Sequence, residues 1–433
     1  MFGAGNLDAG TLLGLGVVLA VVGGGVRLAA ARGVDPFPVP LVIGLVVSAV
    51  GPLHGLRPDA EITRVGAEIA VVVLLFCVGL DHGAADRSAA ATMLGVGPVL
   101  VVDAACNFIP GALFGLVAGF GATGAVLLGG VTWASSWAVA SGTLDRHGRF
   151  GNRETPAALA TLVVEHAATG VYLPLAAALL APGDTASRLT ALFGSAAAVV
   201  AAVAWLVLGS APAIPGPVVA LLDSGPAPGV SLVLLLAGVA LALAGVAAAI
   251  GVATAGIAYL AGAVLASFEP AVADLARLRP AVGALRELSA AAAGLTLGLL
   301  VPGGKLPGAV AGGIVLAAIT GATKVLTGWW AAGRLRPPGS AGRIGAAGRL
   351  RAGLPLLARG ELAVALGILA ALRAPDGGPG TGLAALAAVE VVLTGAAASV
   401  AVTVTVRDLA RPGWYRWAVP TPAAARPEPP GAG

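Results

Sequence analysis

Apolar residues fill most of this chain in blocks of about twenty, separated by short joints that hold nearly all the charges, Pro and Gly pairs. Blocks of that length predict membrane-spanning helices, because about 20 residues at 1.5 Å rise cross a 30 Å hydrocarbon core. The chain predicts about thirteen spans, near residues 11–31, 38–54, 65–81, 92–118, 121–143, 157–181, 188–208, 229–249, 252–268, 284–302, 307–333, 352–372 and 381–406. Only Ile250-Gly251 separates the eighth span from the ninth. The fold class expected is therefore an all-α polytopic membrane protein.

Polar residues that interrupt these blocks carry the functional information. Glu165 and His166 sit side by side in the sixth span. An ionisable group at bilayer depth costs roughly 3 kcal/mol or more unless it meets a partner or water. Thr161, Glu165, Thr169 and Tyr172 fall at helical spacing and form one polar stripe, with His166 about 100° round on the adjoining face. The pair reads as an ion- or proton-binding site. A structural Glu–Lys lock between helices is the plainer alternative, with Lys324 of the eleventh span as the partner. Glu165, Lys324 and Glu361 each lie about nine residues, and the Ser135-Ser136 pair about eight, from one membrane face, or roughly 12–14 Å deep.

The fifth span reads GGVTWASSWAVASG and the twelfth LPLLARGELAVALG. Thr132, Ser135 and Ser136 can satisfy backbone groups where a helix unwinds. Arg359 and Glu361 can compensate the peptide dipoles of a second broken helix, and interrupted helices in corresponding halves point to a transporter's binding site. Asp103 and Asn107 share one face of the fourth span. Glu68 and Glu390 are expected to be structural or secondary, and His54, His82 and His147 ordinary surface residues.

Composition narrows the class. Of 433 residues 58% are hydrophobic and only 11% charged, with mean hydropathy +0.95, too apolar to clothe a soluble protein of this size. The 65 glycines suit close helix packing in lipid. The net charge of +4 marks topology rather than nucleic acid, since the Arg residues are scattered over short loops. One set of alternating loops is rich in Arg, among them Arg146, Arg149 and Arg153, while the other holds Arg57, Arg64, Arg188, Lys305 and Arg373. The Arg-rich side is expected to be cytoplasmic, which puts the N-terminus outside and the C-terminus inside. No cleavable leader is expected. Cys77 and Cys106 lie in separate spans and offer neither a disulfide framework nor metal spacing. Gly303-Gly304-Lys305 lacks the spacing of a phosphate-binding loop, so no cofactor, no tightly bound metal and no ATP-driven engine is expected. Short loops without a nucleophilic constellation argue against an enzyme.

Five segments then carry a resemblance: VVVLLFCVGLD at 71–81, GGVTWASSWAVASGTLDRHGRFGNRETP at 129–156, LVVEHAATGVYLPL at 162–175, TKVLTGWWAA at 323–332 and LARGELAVALG at 357–367. Together they resemble the bacterial monovalent cation:proton antiporters of the second cation:proton antiporter superfamily, which holds sodium/proton and potassium/proton exchangers. The details are similar to its actinobacterial branch. The resemblance implies inverted repeats with two crossed discontinuous helices, spans 5 and 12. It implies dimerisation-side helices over 1–90, core helices over 91–183, a linker helix and loop over 184–228, dimerisation-side helices over 229–304 and core helices over 305–406. A disordered cytoplasmic tail, 407–433, with no fused regulatory domain, completes the expected layout. It implies a homodimer in the cytoplasmic membrane, surrounded by lipid, that exchanges Na+ or K+ for protons by an elevator-type movement. Some relatives without a fused regulatory domain work with a separate soluble subunit.

The family places its ion site on span 6 as two neighbouring polar residues, the second normally aspartate. Glu165 and His166 match those positions, and Lys324 matches a lysine that pairs with the first of them. Histidine departs from the pattern, because hard alkali cations prefer oxygen ligands. An imidazole still exchanges protons near neutral pH. Three outcomes follow: Glu165 takes the cation with His166 as proton carrier or pH sensor, selectivity has changed, or the chain is a non-transporting member of the fold.

Overall fold

The computed structural model describes residues 9–51, 60–181, 183–208, 230–267, 275–335, 344–373 and 379–409. The side chains of 9, 11, 82–96, 275–279 and 403–409 are not described. Among these residues every regular element is helical. The helices are α1 Ala9–Ala31, α2 Val39–Val50, α3 Ala60–Val117, α4 Gly121–Trp133, α5 Trp137–Arg146, α6 Thr155–Ala178 and α7 Thr185–Leu208. They continue with α8 Val230–Ala249, α9 Thr254–Ala266, α10 Leu275–Leu300, α11 Leu306–Arg334, α12 Ala346–Gly353, α13 Glu361–Arg373 and α14 Pro379–Leu409.

Nine described helical stretches are long and apolar enough to cross a membrane, and α2 and α9 are shorter apolar helices. With the broken pair α4–α5 and the more charged α10, each predicted span has a helical counterpart. One expectation changes. Spans 3 and 4 belong to a single 58-residue helical element, α3, with apolar stretches Ala60–Asp81 and Gly97–Val117. Their Ala-rich connection contains no proline, so local propensity does not end the helix there. Spans 8 and 9 are separate, as expected. The chain turns between them at Gly251, whose φ of +75° is open to glycine and costly for other residues. His54 and nearly all of the expected tail lie outside the described residues, as does the side chain of His82.

Burial sorts the helices. In the Leu12–Ala31 window only 6% of residues are buried, against 94% for Ala346–Arg373, so α1 lies on the perimeter and the α12–α13 segment at the centre. Exposed Leu, Val and Ile on α1, α7, α8 and α11 suit a lipid-facing surface. Small residues set the close crossings: Gly79 of α3 meets the backbone at Tyr259, and Gly262 of α9 meets the backbone at Phe76.

Two helices unwind at the centre, as the Ser- and Gly-bearing segments predict. Helix α4 ends at Trp133, Ala134 and Ser136 are extended, and α5 starts at Trp137. On the other segment α12 passes into a 3-10 turn, Leu354–Leu357, then extended Ala358, and α13 starts at Glu361. The two breaks touch: Ser136 N–H donates to the Ala358 carbonyl at 2.8 Å. Gly360 makes that contact feasible, because a Cβ there would overlap the Ser136 side chain.

Candidate functional site

Residues from five elements converge beside the crossing. Lys324, on α11, is fully buried. Its Nζ lies 2.7 and 3.0 Å from the two Asp103 carboxylate oxygens and 2.9 Å from Glu165 Oε1. All three side chains are 0–1% exposed. One ammonium is therefore shared by two carboxylates from helices far apart in sequence.

Each carboxylate has further donors. Glu165 Oε2 accepts the Ser135 backbone N–H at 2.6 Å, an amide freed by the break between α4 and α5. Asp103 Oδ2 accepts the Trp133 indole N–H at 2.8 Å, and Oδ1 accepts from Asn107 Nδ2 at 2.9 Å. Asn107 continues the network to α11, accepting from Thr323 Oγ1 at 2.7 Å and donating to Thr327 Oγ1 at 3.3 Å. Thr132 Oγ1 donates to the Asn107 carbonyl at 2.9 Å. Charge-assisted bonds of this kind in a low dielectric are strong and position the charges rigidly.

Arg359 and Glu361 do not pair with one another; each treats a different helix end. Glu361 Oε2 accepts from Ser136 Oγ at 2.8 Å and Oε1 from the Ala138 N–H at 3.4 Å, so it caps the positive end of α5. Ser136 Oγ also caps that helix by accepting Val139 N–H at 3.2 Å. Arg359 Nη1 donates to the Leu356 carbonyl at 3.2 Å and to Ser135 Oγ at 3.3 Å. Ser135 Oγ donates in turn to the Leu356 carbonyl at 2.9 Å.

His166 is buried on the neighbouring face of α6. Its Nδ1 lies 2.6 Å from the Leu162 carbonyl, which can only accept, so Nδ1 carries the proton. The Trp137 ring stands edge-on at 6.0 Å, and Tyr259 O–H donates to the His166 carbonyl at 2.8 Å. The stripe residues Thr161, Glu165 and Thr169 are buried, and Tyr172 O–H donates to the Val126 carbonyl at 2.8 Å.

The remaining candidates scatter. Glu68 lies exposed on α3, away from this cluster, whereas Glu390 is fully buried with Thr320 Oγ1 donating to it at 2.6 Å. Cys77 and Cys106 are free thiols. His147, expected as an ordinary surface residue, is half-buried at the end of α5. Burial and the nearby Arg149 and Arg146 charges lower its pKa below 6.5. Arg146 there pairs with Asp35 at 2.8 Å.

Sequence reasoning named Lys324 and Glu165 as partners but gave Asp103 only a supporting place. Its helical spacing with Asn107 was the available signal, and nothing in the pattern aligned the fourth span with the eleventh.

Comparison with known proteins adds the family. The family described as "Sodium/hydrogen exchanger, transmembrane" matches residues 17–407. A curated relative, the K(+)/H(+) antiporter subunit KhtU of Bacillus subtilis (strain 168), is 27% identical over 190 residues. That match covers 43% of this chain and 45% of the relative, less than half its length. The solved structure of the sodium proton antiporter MjNhaP1 from Methanocaldococcus jannaschii at pH 8 superposes with a TM-score of 0.62. It covers 92% of this chain and 99% of that one at 13% identity, a likeness of fold.

Proposed function

We propose that this chain, which belongs to the sodium/hydrogen exchanger family, exchanges a monovalent cation, Na+ or K+, for protons. It is a multi-pass membrane protein of a transporter family, not an enzyme. The observation that carries the proposal is the Lys324 ammonium held between Asp103 and Glu165 with none of the three exposed to solvent. Around it the connected, buried groups comprise three carboxyls, on Asp103, Glu165 and Glu361, and two basic groups, Lys324 and Arg359. Fully ionised, that set leaves negative charge in excess inside a membrane core, which is costly. Protons or an alkali cation relieve it, and the two compete for the same charge.

In this reading Glu165 is the exchanging carboxylate and Lys324 its resident countercharge. A hard cation displaces the ammonium and takes oxygen ligands from Glu165, Asp103 and the unwound backbone. His166, buried on the adjoining face of the same helix, is the proton carrier or pH sensor beside the site. Thr132, Ser135, Ser136, Asn107, Arg359 and Glu361 hold the two breaks in register. The unwound helices and their helices form a core that slides against the dimerisation side in an elevator movement. The Arg-rich loops support a cytoplasmic membrane location with the N-terminus outside. A homodimer, with or without a soluble partner subunit, is part of the same proposal, and the relative's printed name, an antiporter subunit, supports the partner.

His166 favours a second reading: an exchanger of altered selectivity, or a member that no longer transports. Inverted membrane vesicles containing the chain and a pH-reporting dye separate the two. With Li+, Na+, K+ and Rb+ added between pH 6 and 9, dequenching by Na+ or K+ supports exchange. Silence toward all four ions at every pH overturns it.

A further inference from the structure

Glu390 sits inside α14, fully buried and apart from the Lys324 cluster. Its Oε1 accepts from Thr320, and its Oε2 has no partner. Arg359 is also fully buried, and its Nε and Nη2 have no partner. Among the described residues no ion pair joins Arg359 to a carboxylate. Buried polar atoms are almost always satisfied, so a guanidinium and a carboxyl with unused atoms in one sealed region call for an explanation.

The backbone holds the two residues close, while no guanidinium nitrogen bonds the Glu390 carboxyl. Thr394, one turn after Glu390, accepts the Arg359 backbone N–H at 3.0 Å and donates to the Glu390 carbonyl at 2.7 Å. The guanidinium uses only Nη1, toward Ser135 and Leu356. Ser135 in turn donates its backbone N–H to Glu165. Arg359 thus stands between two acids, linked to Glu165 through one serine and to Glu390 through one threonine. Lys324 lies one turn from Thr320 on α11, and Glu361 is occupied by Ser136. The other charged groups with described side chains on elements packed against α14 are Asp145 and Arg146 of α5, Arg286 and Glu287 of α10, Lys305 before α11, Arg334 at the end of α11 and Arg373 at the end of α13.

We propose that Glu390 is a second proton-binding site, coupled to Glu165 by the Arg359 guanidinium as a movable countercharge. The inference rests on the exchange reading above. In the arrangement seen here the guanidinium is bonded through Nη1 to Ser135 and Leu356, and Glu390 holds a proton on its unpartnered Oε2. An alkali cation at Glu165 repels the guanidinium, which turns Nε and Nη2 toward Glu390. The carboxyl then ionises, its proton passing to water that enters with the cation. Cation binding therefore expels a proton from a residue that never touches the cation.

The test is the pH dependence of apparent Na+ and K+ affinity in proteoliposomes. Two linked protons give a plot of log affinity against pH whose slope exceeds one and approaches two, and Glu390→Gln reduces the slope to one or less while keeping the maximal rate within about threefold. A slope unchanged by Glu390→Gln, or a wild-type slope no greater than one, overturns the second site. Infrared difference spectra on cation addition check it independently: loss of a protonated-carboxyl band that is missing from the Glu390→Gln spectrum supports it, and a spectrum unchanged by the variant overturns it. A wild-type protein that ignores both cations defeats the exchange reading itself, whereas a responsive wild type with an unaltered slope in Glu390→Gln defeats only this inference.

Discussion

Replacing Lys324 with methionine removes a charge while keeping most of the side chain's volume. In the native protein its Nζ sits 2.7 Å from Asp103 and 2.9 Å from Glu165, so the two carboxylate oxygens are no more than about 5.6 Å apart. Without the ammonium, two ionised carboxylates at that separation repel by about 3 kcal/mol at an effective dielectric of 20. That agrees with the roughly 3–5 kcal/mol measured when one partner of a buried ion pair is deleted. Lys324→Met is therefore expected to unfold several degrees below the wild type in detergent without alkali cations at pH 8, followed by intrinsic tryptophan fluorescence. Na+ or K+ replaces the missing charge, so the variant's melting temperature rises more steeply with added salt than the wild type's, and more than with an equal concentration of a bulky organic cation. A ligand at a hundred times its Kd adds about 2.7 kcal/mol, comparable to the loss. The double variant Lys324→Met/Glu165→Gln recovers part of the stability, with a coupling of roughly 2–3 kcal/mol. A Lys324→Met protein as stable as the wild type, with no added response to alkali cations, would refute the shared-ammonium site.

Gly360→Ala places a Cβ on the Ser136 side chain and forces the two breaks apart; exchange in vesicles is expected to fall at least tenfold, and wild-type activity would show that the crossing tolerates movement. His166→Asp adds an oxygen ligand beside Glu165 and is expected to raise cation-coupled exchange severalfold; no gain would mean that residue 166 does not face the ion. For His147 the folded pKa lies below 6.5, so the unfolded chain binds more protons and stability declines as pH falls through that value. His147→Gln removes this contribution, and thermal melts between pH 8 and 5 should show a shallower acid-side decline than the wild type.

The span count was legible because lipid imposes one strong rule, about twenty apolar residues per crossing, and every predicted block has a helix. The breaks were legible as well: Ala134–Ser136 and Ala358–Gly360 fall where Ser, Gly and charged residues invade apolar blocks. Depth counting placed Glu165 and Lys324 in one layer, since rise per residue is fixed along a helix. Rotation about the helix axis was not legible. Asp103 faces Lys324 and Glu68 faces outward, yet both are acids within apolar spans, and only tertiary packing distinguishes them. The continuous helix α3 was missed because the short polar joint at 82–91 carries the marks of a loop while its alanines favour helix. Arg359 and Glu361 could be placed beside the second break from sequence, but not which helix end each serves, since the break between them points them at different ends.

Exchange at Glu165 is tested most directly by proton release from the purified protein in weakly buffered detergent solution when Na+ or K+ is added. The wild type is expected to acidify the medium in a saturable, cation-dependent way, and Glu165→Gln to release no protons at any cation concentration while remaining folded. Equal release from the two proteins would contradict the assignment of Glu165 as the carboxylate that trades a proton for a cation.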